Sequence, residues 1–408
     1  MKNNINKQWL SINNWVYVSI MSDEVLLYNT QNGQFITTIN RNHIDFIKQL
    51  HERNKLGTIL IEDIYLVDSD LRVFIDEAQQ KKIFSLFEYN ENQPKPIQLM
   101  PVLNIQRDVE KLKKETDRSL GEDIIYYLTG LNLFVNNQCA LKCNFCEDAV
   151  KQFSCCTSQT ADISIDISVI QSIATQIKNT SAVNININGG NIFEYPEIQR
   201  IQDIFSKKNI YYWFNYSNFQ PDIINSKANF EVLIDFPVKM KSLYTCVNGL
   251  PKETSRFHFI VSAVEDIENA QTIINELSIL NVEYHPFFNG KNRVFFEKNV
   301  YLNQEDIFSE TISQRKIFCN QALNTNHFGK LYILPNGDVF SNLNAEKVGS
   351  IKENSILQLI YNELDINTAW RKTRIDKPCN KCIYQYLCPP PSNYEQVIGK
   401  PNLCNLKS

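Results

Sequence analysis

The chain contains no run of about 18 apolar residues, roughly the length a helix needs to cross a hydrocarbon core, which excludes a helical membrane span. It has no block of like charge. Lys and Arg number 41 against 45 Asp and Glu, for a net charge of −4, so nothing favours nucleic acid or an anionic lipid surface as a partner. Met1 to Leu10 carry no apolar signal core, which sets the expectation of a cytoplasmic protein. Internal repeats and low-complexity tracts are also missing, which excludes a repeat architecture. The five histidines, His43, His51, His258, His285 and His327, form no pair at metal-ligand spacing along the chain. His285, in Glu283-Tyr-His-Pro-Phe287, is expected as a packed strand residue. Asp235 closes a strand and receives no acid–base role.

Cysteine is what the chain has in number, with eleven among 408 residues. In a chain without a secretion signal these are not expected to be disulfide staples. Nine fall into two groups: Cys139, Cys143, Cys146, Cys155 and Cys156, then Cys379, Cys382, Cys388 and Cys404. Cys246 and Cys319 stand apart. Such clustering favours metal ligation.

Three regions emerge, with expected boundaries at 1–95, 125–305 and 310–408. In the first, Val16–Ile20, Val25–Tyr28 and Phe35–Ile39 read as strands, the last after the Asn32-Gly33 turn signal. Ile44, Ile47 and Leu50 share a helical spacing, and a further helix is expected over residues 70–87. Pro94, Pro96 and Pro101 suit a linker. In the second region strands and helices alternate. Strands are expected at Leu131–Val135, Val183–Ile187, Tyr211–Phe214, Phe230–Ile234, Phe257–Val261 and Val282–Phe287. Helices are expected at Ile167–Ile177, Tyr195–Phe205 and Ile267–Leu280. This alternation implies an α/β fold with a parallel sheet or partial barrel, whose ligands sit at the carboxyl ends of the strands. The third region shows a hairpin at Leu331–Phe340 and a helix near residues 354–370.

Three thiolates on one short loop hold three irons of a 4Fe–4S cluster and leave the fourth open. Cys139-x3-Cys143-x2-Cys146, directly after the first strand of a six-fold β/α alternation, resembles the radical S-adenosylmethionine (SAM) superfamily. The resemblance implies a partial (β/α)6 barrel. It also implies that SAM binds the fourth iron through its amino and carboxylate groups and yields a 5′-deoxyadenosyl radical that abstracts a substrate hydrogen. Phe145 stands where the family often has an aromatic beside the adenine. Gly189-Gly190-Asn191 matches the family's Gly-Gly-Glu-Pro, which meets the SAM amino group, with Asn191 and Ile192 in place of the glutamate and proline. Cys155 and Cys156 read either as a fourth ligand that closes the site or as ordinary buried thiols.

Cys379-x2-Cys382-x5-Cys388 followed by Cys404 makes a four-ligand set. By spacing alone it fits a four-cysteine zinc site equally well. It resembles the SPASM auxiliary-cluster region of peptide-modifying radical SAM enzymes. Ser341 and Ser392 stand where a second auxiliary cluster would take cysteines, and Cys319 fits that cluster's first position, so one auxiliary 4Fe–4S cluster is expected. The first region resembles the winged-helix-like leader-binding module fused to such maturases, which captures a peptide by strand addition. The resemblances together imply a peptide maturase. Its partners would be a precursor peptide with its leader, a reductant such as flavodoxin or ferredoxin, and a second radical SAM maturase. A different class is a non-catalytic pseudo-radical-SAM partner that binds the precursor and assists another enzyme. A zinc-stabilised scaffold is a third.

Overall fold

The computed structural model describes residues 7–62, 69–97, 124–141, 143, 145–156, 163–180, 183–221 and 228–406. Pro101, assigned to the linker, lies outside them, as do Met1–Asn6. Six strands come first: β1 (Lys7–Ile12), β2 (Val16–Ile20), β3 (Val25–Asn29), β4 (Phe35–Thr38), β5 (Thr58–Glu62) and β6 (Phe84–Glu88). They form two antiparallel sheets, ordered β5-β1-β6 and β2-β3-β4. Helices Arg41–Leu50 and Ser69–Gln80 close a core of Leu10, Val16, Leu27, Ile47, Leu50 and Phe74. Asn40 starts the first helix, its side chain accepting from the Asn42 amide at 2.9 Å.

The helix expected over residues 70–87 ends at Gln80. Lys82 adopts a left-handed backbone, φ 54°, which breaks the helical run. The apolar residues that follow pair with β1 instead, with Phe84 opposite Ile12 and Leu86 opposite Leu10. Short apolar runs suit either period, and the cross-strand partner decides.

The central sheet has nine strands in the order β12-β11-β10-β9-β8-β7-β13-β14-β15. Its members are β7 (Gly130–Phe134), β8 (Asn184–Asn188), β9 (Asn209–Asn215), β10 (Asn229–Ile234), β11 (Ser255–Val261), β12 (Val282–Pro286), β13 (Lys330–Ile333), β14 (Asp338–Phe340) and β15 (Gly349–Ser350). Strands β7 to β12 run parallel in sequence order, so each of the six expected strands is present to within two residues at either end. The three helices expected between them are found at Ile167–Gln176, Ile198–Ile204 and Val264–Leu277, the second starting three residues later than expected and the third lying three residues earlier at both ends. The β13–β14 hairpin does not stand apart, since β13 pairs parallel with β7 and extends the same sheet.

Period-2 alternation gives this sheet two unlike faces. Ile185, Ile187, Phe214, Val232, Ile234, Phe257 and Phe259 pack on the helices. The opposite face carries Asn186, Asn188, Trp213, Asn215, Glu231, Leu233, His258 and Ile260. Leu233 and Ile260 there pack under Ala149, Phe153, Cys155 and Cys156 of the segment after β7.

Helix Ile356–Ile366 is fixed by a buried carboxylate. Glu363 accepts from the amides of Thr368, Ala369 and Trp370 at 3.1, 2.9 and 2.8 Å, and the Trp370 indole donates to the Lys330 carbonyl of β13 at 2.9 Å. Glu363→Ala strips three N–H donors of their acceptor. It is expected to cost about 3 kcal/mol or more, read from the midpoint of urea unfolding at unchanged slope.

Candidate metal centres

The loop bearing Cys139, Cys143 and Cys146 leaves the carboxyl end of β7 and runs into the short helix Cys146–Ala149. Cys146 is buried, and Cys139 and Cys143 are half-buried. Cys143 hydrogen-bonds Cys146, and that contact, then burial, then the nearby Asp235 carboxylate push its thiol well up. Cys146 is drawn down by Cys143, but its contact with Cys156 and its burial outweigh this and set it at about 12. Cys156 also contacts Cys155 and feels Cys139. Cys146, Cys155 and Cys156 are buried and Cys139 and Cys143 half-buried, and Cys156 lies beside Cys146 of the triplet. Asn218 donates to the Cys139 sulfur at 3.4 Å, and Asn215 donates to Asp235 at 2.7 Å. Phe145 packs against Phe287 with ring centroids 5.9 Å apart.

Gly189 and Gly190 follow β8 and press on the segment entering the cysteine loop. A Cβ on Gly190 would lie 1.9 Å from the Gln138 carbonyl oxygen, and one on Gly189 would lie 2.5 Å from the Asn136 side chain. Only glycine permits this approach. The fully buried Asn136 locks it, donating to the Asn191 carbonyl at 2.8 Å and accepting from the Gly190 amide at 3.0 Å. The Asn191 side chain is engaged as well: it accepts from the Phe193 amide at 3.2 Å and donates to Glu194 at 3.0 Å.

Cys379, Cys382, Cys388 and Cys404 line one cavity of about 180 Å³. Burial raises all three of Cys379, Cys382 and Cys388, the last to about 12, and each also feels Cys404. Asn402 donates to the Cys404 sulfur at 2.9 Å. The buried Arg374 points one nitrogen at Cys379, 3.8 Å away, and pairs with Glu395 at 2.7 Å. Four thiols around one cavity, with a buried cation beside Cys379, fit a multi-thiolate metal group. Among the described residues neither cysteine set gathers three sulfurs within 4.8 Å of one another. Ser341 and Ser392 are occupied otherwise: Ser341 shares a 2.5 Å hydrogen bond with Thr368, and Ser392 caps helix Asn393–Ile398, accepting from the Tyr394 amide at 3.2 Å.

The structure also gathers residues that spacing along the chain does not connect. His258, Glu283 and His285 bring ligand atoms within 4.8 Å of one another on the helix-free face. Their signal is cross-strand: His258 of β11 pairs in register with Glu283 of β12, and His285 is the next residue of β12 on that face.

Two outcomes are expected here. Gly190→Ala forces the Gln138 carbonyl aside and should cost about 2 kcal/mol or more, measured by chemical denaturation. In metal-free protein Cys146 and Cys388 stay protonated at pH 8, so iodoacetamide should label them roughly tenfold or more slowly than a free cysteine. Because ligation must remove those protons, metal affinity should rise with pH, measured by chelator competition between pH 7 and 9.

No family model matches the chain, and no curated protein matches it in sequence. Solved structures do. Streptococcus suis SuiB bound to its precursor peptide SuiA aligns at 14% identity and TM-score 0.50, over 97% of this chain and all of SuiB. SuiB bound to S-adenosylmethionine aligns at 13% identity and TM-score 0.45, over 98% and 99%. The enzyme anSMEcpe with bound AdoMet aligns at 13% identity and TM-score 0.43, over 67% and 91%. The chain therefore shares the fold of SuiB, a mixed α/β fold on a central parallel sheet, and the resemblance drawn from the cysteine motifs extends to the fold.

Proposed function

We propose that the chain is a radical-SAM-type maturase of a ribosomally made peptide. In this reading Cys139, Cys143 and Cys146 hold the SAM-binding 4Fe–4S cluster, and Cys379, Cys382, Cys388 and Cys404 hold one auxiliary cluster. The observation that carries the reading is the three-cysteine loop at the carboxyl end of β7, the first of six parallel strands. Open parallel sheets bind their ligands at the carboxyl ends of the strands. When bound, the cluster and SAM supply a hydrogen-abstracting radical. The protein's own residues orient and exclude. Phe145, Gly189, Gly190 and Asn191 would line the SAM side of the site, and Asn136 keeps the glycine turn in place. The segment from Ala149 to Cys156 covers the helix-free face against water. Regions 1–95, 125–305 and 310–408 act as leader-binding, radical and auxiliary-cluster units. The sheets β5-β1-β6 and β2-β3-β4 offer edge strands for a leader to extend. That SuiB was crystallised with its precursor peptide supports a peptide substrate.

A second reading is favoured by two specific contacts. Cys156 lies close enough to Cys146 to push its thiol up and can serve as a fourth thiolate, and both the carbonyl and the side chain of Asn191 are already engaged. A centre closed by Cys156 has no free iron for SAM, and the chain then binds the precursor and assists another maturase.

Anaerobic reconstitution with iron and sulfide, reduction, and addition of SAM separates the two. The enzyme reading expects 5′-deoxyadenosine and a SAM-induced change in the reduced-cluster electron paramagnetic resonance spectrum. A fully reduced cluster that shows neither overturns it. In the partner reading Cys156→Ser frees one iron and makes the spectrum SAM-sensitive, whereas the wild-type spectrum ignores SAM. Cys404→Ala should lose about half of the bound iron in either case.

A further inference from the structure

His258 lies on β11, deep in the helix-free face and 1% exposed. Its Nε2 meets Glu231 Oε2 of β10 at 2.5 Å. Its Nδ1 meets His285 Nε2 of β12 at 2.8 Å. Glu283 Oε2 stands 3.6 Å from the first of those two nitrogens and 3.7 Å from the second. Three lone-pair atoms from three side chains thus converge on one point, with edges of 2.8, 3.6 and 3.7 Å. An ion with ligand bonds of about 2.0–2.1 Å in tetrahedral geometry sets its donors about 3.4 Å apart. The two edges to Glu283 approach that spacing, and the shorter edge between the histidines opens to it when an ion enters.

Each donor is also held from behind. Glu231 accepts the Nε2 proton of His258, which frees Nδ1 as the ligand atom, the carboxylate–histidine arrangement that orients metal-bound imidazoles. Arg256 grips the other oxygen of Glu283 at 2.7 Å and leaves Oε2 turned to the site. Phe153 stacks on His285 with centroids 4.9 Å apart, and Trp213 lies against His258 at 4.7 Å. Burial and the neighbouring His258 hold His285 neutral, down at about 3. Each of these groups has a hydrogen-bond partner; what sets them apart is that two imidazoles and a carboxylate bring ligand atoms to one point from neighbouring strands.

We propose that His258 Nδ1, His285 Nε2 and Glu283 Oε2 form a binding site for a divalent transition ion, zinc or ferrous iron, separate from both cysteine centres. Binding requires that His285 move its ring proton from Nε2 to Nδ1 and that the two rings draw apart, so that the ion takes the place of the proton they share. Two imidazoles and a carboxylate suit either ion. Three protein donors leave a further coordination position for water or for a substrate group. Glu283 lies on the edge strand β12 with its side chain 45% exposed, and the site is reached from that side.

The test uses the full chain with its cysteine centres reconstituted, stripped of loose metal by a chelator and titrated anaerobically with Co²⁺ as the probe. Wild type is expected to take up one more equivalent than His285→Ala or the exposed Glu283→Gln. The difference spectrum should show tetrahedral d–d bands without thiolate charge transfer. Glu231→Gln should keep that equivalent but weaken it about 10–100-fold. Elemental analysis of the protein as purified then shows whether the His285-dependent equivalent is zinc or iron, and either upholds the site. Equal Co²⁺ uptake by wild type and Glu283→Gln, with matching circular dichroism, overturns it, as does a difference spectrum dominated by thiolate bands.

Discussion

The backbone after β8 meets the backbone after β7 at a distance no side chain tolerates, and much of the molecule is arranged around that contact. Gly189 and Gly190 supply the missing Cβ atoms, and Asn136 supplies the hydrogen bonds that replace water in the gap. A buried backbone polar group left unpaired would cost about 1–3 kcal/mol, so the side chain of Asn136 satisfies both a donor and an acceptor of the facing strand end. With this seam fixed, the cysteine loop must begin at Cys139 and fold back over the helix-free face of the sheet. The positions of Phe145, Phe153 and Cys156 follow from it.

That face is unusual for a parallel sheet, whose strands are ordinarily apolar on both sides. Here it carries asparagines on β7 and β8, then carboxylates and imidazoles on β10 to β12. Burying such groups is costly unless each finds a partner, and the partners are found across strands: Asn215 with Asp235, Trp213 with Asn186, Glu231 with His258, Arg256 with Glu283. Leu233, Ile260 and Phe287 pack with Cys155 and Cys156, while Asn218 and Asp235 reach the cysteine triplet itself.

The parallel strands were legible in the sequence because a strand buried on its helix side by Ile, Val and Phe leaves a run of alternating apolar residues that few other structures require. Strands β1, β5 and β6 were not. Lys7-Gln-Trp-Leu-Ser-Ile12 has weak alternation of its own, and the run at 83–87 matches a helix as readily as a strand until β1 is placed beside it. The pairing of β13 with β7 joins residues 200 positions apart and has no local signal at all. The cysteine sets were visible as spacing, because a loop must present several thiols together. The meeting of Cys156 with Cys146 was visible only as one of two alternatives, since its direction depends on how the segment after Ala149 turns. His258, Glu283 and His285 were invisible as a set. Their closeness is a property of register between strands, and register depends on which residues the helices bury.

Both ends of the chain meet on one strand. β3 gives Val25 and Leu27 to the N-terminal core and turns Leu26, with Tyr28, toward Ile317, Ile383, Leu387 and Cys388. The Tyr28 hydroxyl accepts from the Ile312 amide at 2.7 Å, and Phe35 stacks on Phe308 with centroids 4.0 Å apart. A ribosome adding roughly 5–20 residues per second needs about 20–70 s to make the chain between these partners. For that interval the nascent N-terminal sheet presents an uncovered aromatic surface. Cys388 belongs to the cover that seals it, so the packing of this sheet and the placing of one cysteine of the second set are linked.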